Sequence, residues 1–388
     1  MITYIKRLLN GEPVEWKTLG EVAEIEKGKQ LNKERLTATG LYPAYNGGVS
    51  YSGFTDRYSH TENKTIISQG GASAGFVNFI ETRFYANAHC YVVLPNEKLV
   101  HRRFVYHILK RQQPQLMGKQ FGAGIPALKT KDLLTLRIPI PPLSVQEEIV
   151  RILDKFTELE AELEAELEAR KQQYEYYRNS LLSFANNLEG GLWKPLGEAC
   201  EVIGGFAFKS TLFKEEGMPI IRIGNITASN HINMDDSKCF NPEDYSGINF
   251  QSYLTQAGDI LVAMSGATTG KVGYYTGEEV SYINQRVSKL SPKSEILNNR
   301  FLYHYLLGKS DYLYHLAGGG AQPNLSAKDL RTRLLIPIPP LAEQERIARI
   351  LDKFDTLTNS LTEGLPQEIE LRRKQYEYYR EQLLSFPA

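Results

Sequence analysis

Apolar and aromatic side chains fall at positions 149, 152, 156, 159, 163, 167, 174, 177, 181 and 184, with Arg170 filling one step. Steps of three and four alternate, which is the seam of a coiled-coil helix. Between Leu159 and Leu167 two steps of four follow each other. That is a stutter, which locally unwinds a supercoil. Ser144 precedes Glu147 by three, directly after Pro141 and Pro142. This capping-box pattern predicts a helix start there. A straight helix from Ser144 to Phe184 would be about 60 Å long. A second seam runs through Ile347, Ile350, Phe354, Leu357, Leu361, Leu365, Ile369, Arg372, Tyr376, Tyr379, Leu383 and Phe386. Gly364 and Pro366 interrupt it and predict a kink.

The two seams belong to a larger internal repeat. "IPIPPL" at 138–143 returns at 336–341, and "ILDKF" at 152–156 returns at 350–354. "RKQQYEYYR" (170–178) becomes "RKQYEYYR" (373–380), and "LLSF" (181–184) returns at 383–386. The shift grows on the way, so the second copy carries a short insertion between Phe354 and Tyr376. Fainter matches precede the tails. "EWKTLGEVAEIEKG" (15–28) faces "LWKPLGEACEVIGG" (192–205), "GGASAGFV" (70–77) faces "SGATTGKV" (265–272), and "YANAH" (85–89) faces "YINQR" (282–286). The chain is thus a diverged globular part and a nearly identical tail, each present twice. "LLNGEPVEW" (8–16) sits where "LLSFANNLEGGLW" (181–193) sits in the second copy. The N-terminus therefore reads as a mimic of the end of a long helix, with both chain ends near one place.

Short β-rich runs separated by Gly-rich turns mark the globular parts as mixed α/β: "TIIS" (65–68), "CYVVL" (90–94), "PIIRIG" (219–224) and "DILVAM" (259–264). "RRFVYHILKRQ" (102–112) and "NRFLYHYLLGK" (299–309) read as matched amphipathic helices. The expected fold class is α+β: two mixed α/β domains separated by two long helices that pack as a coiled coil. Sequence leaves the helix direction open. Antiparallel packing would give the repeat a pseudo-twofold axis. The expected divisions are 1–13 (a helical segment completing the repeat), 14–137 (first domain), 138–187 (first long helix), 188–335 (second domain) and 336–388 (second long helix).

Charge adds one feature. The formal net charge is zero, yet residues 1–137 carry 19 Lys/Arg against 11 Asp/Glu, while 144–187 carry 5 against 10. The first domain is therefore basic, as an electrostatic footprint for DNA requires. The second is balanced. No run of about 18 apolar residues suggests a membrane span, and the first residues lack a signal-peptide core. Cys90, Cys200 and Cys239 are scattered, which fits a reduced, cytoplasmic setting with neither disulfides nor zinc.

Tests for chemistry fail. "SGATTGKV" (265–272) resembles a phosphate loop, but its first Gly is misplaced and Val272 follows Lys271 where a hydroxyl is needed. A Gly-rich turn between strands is the better reading. The seven histidines show no ligand spacing; His107 and His304 occupy matched helix positions, which suggests packing. "NPEDY" (241–245) and "FGAG" (121–124) fall short of a methyl-donor site.

Two diverged globular parts with "W-K-x-L-G-E" at 16–21, its counterpart "W-K-P-L-G-E" at 193–198, and "P-P-L-x-x-Q-E-x-I" at both helix starts resemble the specificity subunit of type I restriction–modification systems along essentially the whole chain. The resemblance implies a non-catalytic subunit. Each globular part would be a target-recognition domain reading one half of a split DNA site. The helices would set the gap and dock two modification subunits. S-adenosylmethionine, ATP and Mg²⁺ are then expected on the modification and restriction/translocase partners, with none in this chain. A coiled-coil scaffold with two non-DNA ligand domains and a fused enzyme are the competing readings. Loop residues able to read bases or grip phosphates are Lys29, Gln30, Tyr45, Asn46, Gln69, Ser73, His89, Lys119 and Gln120 in the first domain. In the second they are Lys209, Arg222, Asn225, Ser265, Thr268, Lys271, Asn284, Gln285 and Arg286. The spacer and docking positions are Ile152, Phe156, Leu159, Leu163, Leu167, Tyr174, Tyr177, Ile350, Phe354, Leu357, Tyr376 and Tyr379.

Overall fold

The structure, a computed structural model, describes residues 3–118, 127–184, 192–227, 229–318, 323–360 and 362–386. The chain divides into two compact units: residues 1–163 with 369–388, and residues 164–368.

The first unit opens with α1 (Thr3–Leu9), β1 (Glu15–Thr18), α2 (Leu19–Val22) and β2 (Ala23–Lys27). β3 (Tyr42–Tyr45), β4 (Gly53–Thr55), β5 (Lys64–Ser68), β6 (Val77–Ile80), β7 (Tyr85–Ala86) and β8 (Cys90–Pro95) follow. Then come α3 (Arg102–Arg111), α4 (Gln113–Gly118), α5 (Thr130–Leu134), β9 (Arg137–Ile140) and α6 (Leu143–Leu181). One sheet has the order β2-β8-β5-β6, a second β4-β3-β7, and β1 pairs with β9. The apolar run of β5 is buried on both faces because Ile67 packs into one apolar core and Ile66 into another. The period of α3 puts Phe104, Val105, Ile108 and Leu109 on one buried face.

The second unit repeats this plan with β10 (Leu192–Pro195), α7 (Leu196–Ala199), β11 (Cys200–Gly204), β12 (Met218–Ile221), β13 (Lys238–Phe240), β14 (Leu254–Thr255), β15 (Ile260–Ala263), β16 (Val272–Tyr274), β17 (Ser281–Ile283) and β18 (Val287–Pro292). α8 (Asn299–Leu307), α9 (Ser310–Leu316), α10 (Ala327–Arg333), β19 (Leu335–Ile338) and α11 (Leu341–Asn359) complete it, and α12 (Leu365–Leu383) follows. β11-β18-β15-β16 matches the first unit's larger sheet. β12 pairs with β17 in parallel, as β3 does with β7, and β14 adds one edge strand.

The helix starts differ from the capping-box expectation. α6 begins at Leu143, so Ser144 lies inside its first turn. The decisive residue is the Gln of the "Q-E" motif. Gln146 is fully buried; its Oε1 accepts from the His101 amide at 2.8 Å and its Nε2 donates to the Pro141 carbonyl at 2.8 Å. Gln344 repeats this with the Asn298 amide (2.8 Å) and the Pro339 carbonyl (2.7 Å). Each helix is thus stitched to its own globular part. Val145, Ile149 and Leu153 also face that part, whereas Ile152 lies partly buried at its edge.

Within the first unit the helices run antiparallel. Phe156 stacks on Tyr379 (5.2 Å between centroids), and Glu160 pairs with Arg373 (2.5 Å), so numbers rise on one strand of the pair as they fall on the other. Phe354 stacks on Tyr177 (5.4 Å) in the second unit. Leu159, Leu163, Leu167, Ile350 and Leu357 are half-buried. Leu361 lies outside the described residues. The second long helix expected across 336–388 is two helices. Ser360 turns extended, Gly364 adopts φ +86°, and a Cβ there would lie 2.5 Å from the Thr356 carbonyl. Pro366 then sits in the first turn of α12, where its missing N–H costs nothing. The short insertion thus makes a full break, where a kink was expected.

Both chain ends enter one core: Ile5 and Leu9 cluster with Leu383, Leu384 and Phe386. Phe386 meets Phe104 edge-on, as Phe184 meets Phe301 in the second unit. The helix-end role in the first unit is therefore filled by the C-terminus itself, with α1 packed in the same core as an addition. No helix among the described residues is long and apolar enough to cross a membrane.

Candidate nucleic-acid interface

In each unit, turns from both sheets converge through one set of backbone bonds. The Lys29 amide donates to the Ala86 carbonyl (3.0 Å), Gly28 to Cys90 (2.8 Å), Asn87 to Tyr45 (2.9 Å), Gln69 to His89 (2.9 Å) and Leu128 to Gln69 (2.8 Å). The second unit copies this with Phe206 to Ile283 (2.9 Å), Gly205 to Val287 (3.0 Å), Asn284 to Ile221 (2.9 Å), Met264 to Arg286 (2.8 Å) and Leu325 to Met264 (2.7 Å). The approach is so tight that a Cβ on Gly28 or Gly205 would lie 2.1 Å from the carbonyl of Asn87 or Asn284. Only Gly fits at either position.

This frame gathers Lys29, Tyr45, Asn46, Gln69 and His89 of the first unit, with Gln30 beside Lys29 and Ser73 in the Gly70–Gly75 turn. Lys29, Gln30, Asn46 and His89 are exposed. Tyr45 is half-buried, edge-on to Tyr51 and Phe84, and burial raises its hydroxyl pKa. Gln69 Oε1 is shielded without a partner. Lys119 and Gln120 lie outside the described residues.

In the second unit the frame gathers Arg222, Ser265, Thr268, Gln285 and Arg286. Ser265, Gly266, Gln285, Arg286, Pro323 and Asn324 line a cleft of about 570 Å³. Ser265 Oγ, Thr268 Oγ1 and Arg222 Nε are shielded from water without a hydrogen-bond partner. Lys209 is exposed and Lys271 half-buried. The "SGATTG" stretch is a turn between β15 and β16, pinned where Thr269 Oγ1 donates to the Gly266 and Pro323 carbonyls (2.7 and 3.2 Å). Two expected contacts belong to the scaffold. Asn225 uses Oδ1 on the Arg222 amide (2.8 Å) and Nδ2 on the Asn233 carbonyl (2.8 Å). Asn284 is buried, its Oδ1 accepting from the Arg286 amide (3.3 Å). Its counterpart Asn87 is likewise spent, bonding Leu31 through both amide atoms (2.9 and 3.0 Å).

A second feature, unseen in the sequence beyond two matched histidines, ties each globular part to its helices. In the first unit Asp154 accepts from Arg103 Nε and His107 Nε2, both at 2.8 Å. Tyr376 Oη lies 3.4 Å from His107 Nδ1. In the second unit Asp352 accepts from Arg300 Nε (2.6 Å) and His304 Nε2 (2.7 Å), and Tyr174 donates to His304 Nδ1 (2.9 Å). Both histidines are fully buried. Burial outweighs the neighbouring carboxylate and lowers their pKa values, while the histidine and arginine hydrogen bonds hold both aspartates low against their own burial. Among the described residues no group of acidic, His or Cys side chains is placed to hold a metal.

A family model for the type I restriction modification DNA specificity domain matches residues 12–169 and again 192–371. The chain belongs to that family: it is a DNA-recognition component of a type I restriction–modification system, the part that carries no catalysis. It is 37% identical to a Haemophilus influenzae protein assigned as a type I restriction enzyme specificity subunit, covering 99% of this chain and 98% of that one. It is 34% identical to the EcoR124I/EcoR124II specificity subunit of Escherichia coli, over 100% of this chain and 98% of the relative. The fold matches the S subunit of a type I system from M. genitalium with a TM-score of 0.67 at 21% identity, covering 98% of both chains.

Proposed function

We propose that each unit reads one half of a bipartite DNA duplex, with residues 14–137 and 188–335 as the two readers. One observation supports this above the others. The two units share a backbone frame but place different side chains on it: His89 against Arg286, Gln69 against Met264, Lys29 against Phe206, Phe76 against Lys271. The clamps onto the helices are meanwhile the same. A fixed frame under changed side chains is what two readers of different half-sites require.

On this reading Lys29, Gln30, Asn46, His89, Lys209, Lys271 and Arg286 face the DNA, with Tyr45, Gln69, Ser73, Arg222, Ser265, Thr268 and Gln285 behind or between them. α6 and the α11–α12 pair act as spacer. Identical exposed tyrosines, Tyr176 and Tyr177 on α6 and Tyr378 and Tyr379 on α12, offer two like surfaces to two modification subunits. The methyl donor, ATP and Mg²⁺ belong to those subunits and the translocase.

Mapping methylated bases made by the assembled complex tests the reading. A bipartite motif is expected. Deleting Glu164–Leu167 removes about 6 Å of helix and should shorten the tolerated gap by one or two base pairs of about 3.4 Å each. An unchanged gap would refute the spacer role, and a contiguous motif would refute the two-reader role.

A further inference from the structure

The geometry points to Arg286 as a specificity-determining residue of the second unit, one that reads the guanine of a G·C pair in the major groove. This rests on the reading above that the unit binds duplex DNA.

The residue's backbone is held on both sides. Its amide donates to Asn284 Oδ1 (3.3 Å), and its carbonyl accepts from the Met264 amide (2.8 Å). Asn284 is itself fixed to Ile221 (2.9 Å) and pressed against Gly205. The Arg286 side chain leaves this rigid turn exposed. The cleft it borders is lined by Ser265, Gly266, Gln285, Pro323 and Asn324, none of them a carboxylate that could capture a guanidinium. Ser265 Oγ within the cleft, and Thr268 Oγ1 three residues on, lack partners.

A phosphate grip needs charge and little else, and Lys209 and Lys271 supply that. The exposed Gln285 amide and Arg286 guanidinium on this fixed turn present a pattern of donors and acceptors, which is what base edges are read by. The planar fork of a guanidinium matches O6 and N7 of guanine in a fixed bidentate contact, which a Lys ammonium makes only as a rotatable point charge. The first unit has His89 at the matched place, so its half-site has no reason to share that base pair.

The test uses the full chain assembled with its modification subunits. Duplex pools with one half randomised at a time are methylated, and the products are sequenced. The expected result is a G·C pair in one half whose preference falls on the order of 10- to 100-fold in Arg286→Ala, the other half being unchanged. Arg286→Gln should move that position toward A·T, since Gln pairs with adenine N6 and N7. Arg286→Lys should restore overall methylation relative to Arg286→Ala but only part of the G·C preference, because an ammonium reaches O6 and N7 without the planar fork. Three results would overturn the assignment: no G·C pair in either half, an unaltered motif in Arg286→Ala, or a loss in that variant spread evenly over all sequences. A wild-type complex with no bipartite preference would instead sink the reading of function itself.

Discussion

Asp352→Ala in the second unit probes the clamp that holds a reader to its helix. The carboxylate serves two donors, the half-buried Arg300 Nε at 2.6 Å and the fully buried His304 Nε2 at 2.7 Å. Arg300 keeps a second partner, Asp355 at 2.9 Å, and lies over the rings of Tyr274 and Tyr303 (4.3 and 4.6 Å). It therefore stays compensated. His304 does not: with Tyr174 donating to Nδ1, its proton sits on Nε2 and would have no acceptor in a fully buried site. An orphaned buried donor costs about 1–3 kcal/mol. The Asp352 side chain is 37% exposed, so water screens its charge and little is added for the lost Coulomb attraction. About 2 kcal/mol in all should lower the melting temperature of a unit this size by roughly 4–8 °C. His304→Phe removes the orphan, so Asp352→Ala on that background should cost at least about 1 kcal/mol less. Thermal unfolding of the four proteins in the cycle, followed through the second unit, measures this. Additivity within about 0.5 kcal/mol would refute the claim that His304 and Asp352 act as a pair.

Two further outcomes follow. His107 and His304 have pKa values lowered by burial from the ordinary 6.5, so the unfolded chain binds protons that the folded chain refuses. Stability contributed by these sites is full above that value and is lost as pH falls below it; a melting temperature that stays level from pH 7 to 5, with Asp154, Arg103, Asp352, Arg300 and Asp355 as surrounding charges, would contradict this. Deleting residues 376–388 removes Tyr376, Leu383, Leu384 and Phe386 from the first unit's core, at about 1.5–3 kcal/mol for each buried side chain. Hydrogen exchange should show protection lost in β2, β5 and β8 and kept in β11, β15 and β18; equal protection in both sets would show that the last residues are not part of the first unit.

The repeat, the helix seam and the strands at "TIIS" and "CYVVL" were legible because each is a local pattern. Features made by distant pairs were not. Tyr174 and His304 are 130 positions apart and Tyr376 and His107 are 269 apart, so nothing in their spacing announces a shared hydrogen bond. The "Q-E" motif is visible in the sequence, but capping rules are local and point to Ser144 and Glu147 instead. The buried Gln146 binds Leu99, His101 and Pro141, and a polar residue at a buried helix position was the available signal. Asn284 failed for a similar reason. Asn in a Gly-rich loop suits base reading and backbone support equally, and its match to Asn87, an unchanged residue in a diverged loop, argued for support.

Duplication gives the two units cores completed in the same way. The second unit's core is completed by Leu181, Leu182 and Phe184, the end of the helix that leads into it. In the first unit, where α1 precedes β1, the equivalent place is taken by Leu383, Leu384 and Phe386 at the end of α12, with Ile5 and Leu9 of α1 in the same core. Each core thus depends on a helix end that another stretch of chain delivers. Such an arrangement makes the helix pair part of both folding units, so a reader cannot drift in orientation on its own helix without disrupting its core. The two identical clamps, Arg103–Asp154–His107 and Arg300–Asp352–His304, work in the same direction. They sit between the changing loops and the constant helices, and they allow the side chains at His89 and Arg286 to differ while the frame that presents them stays the same.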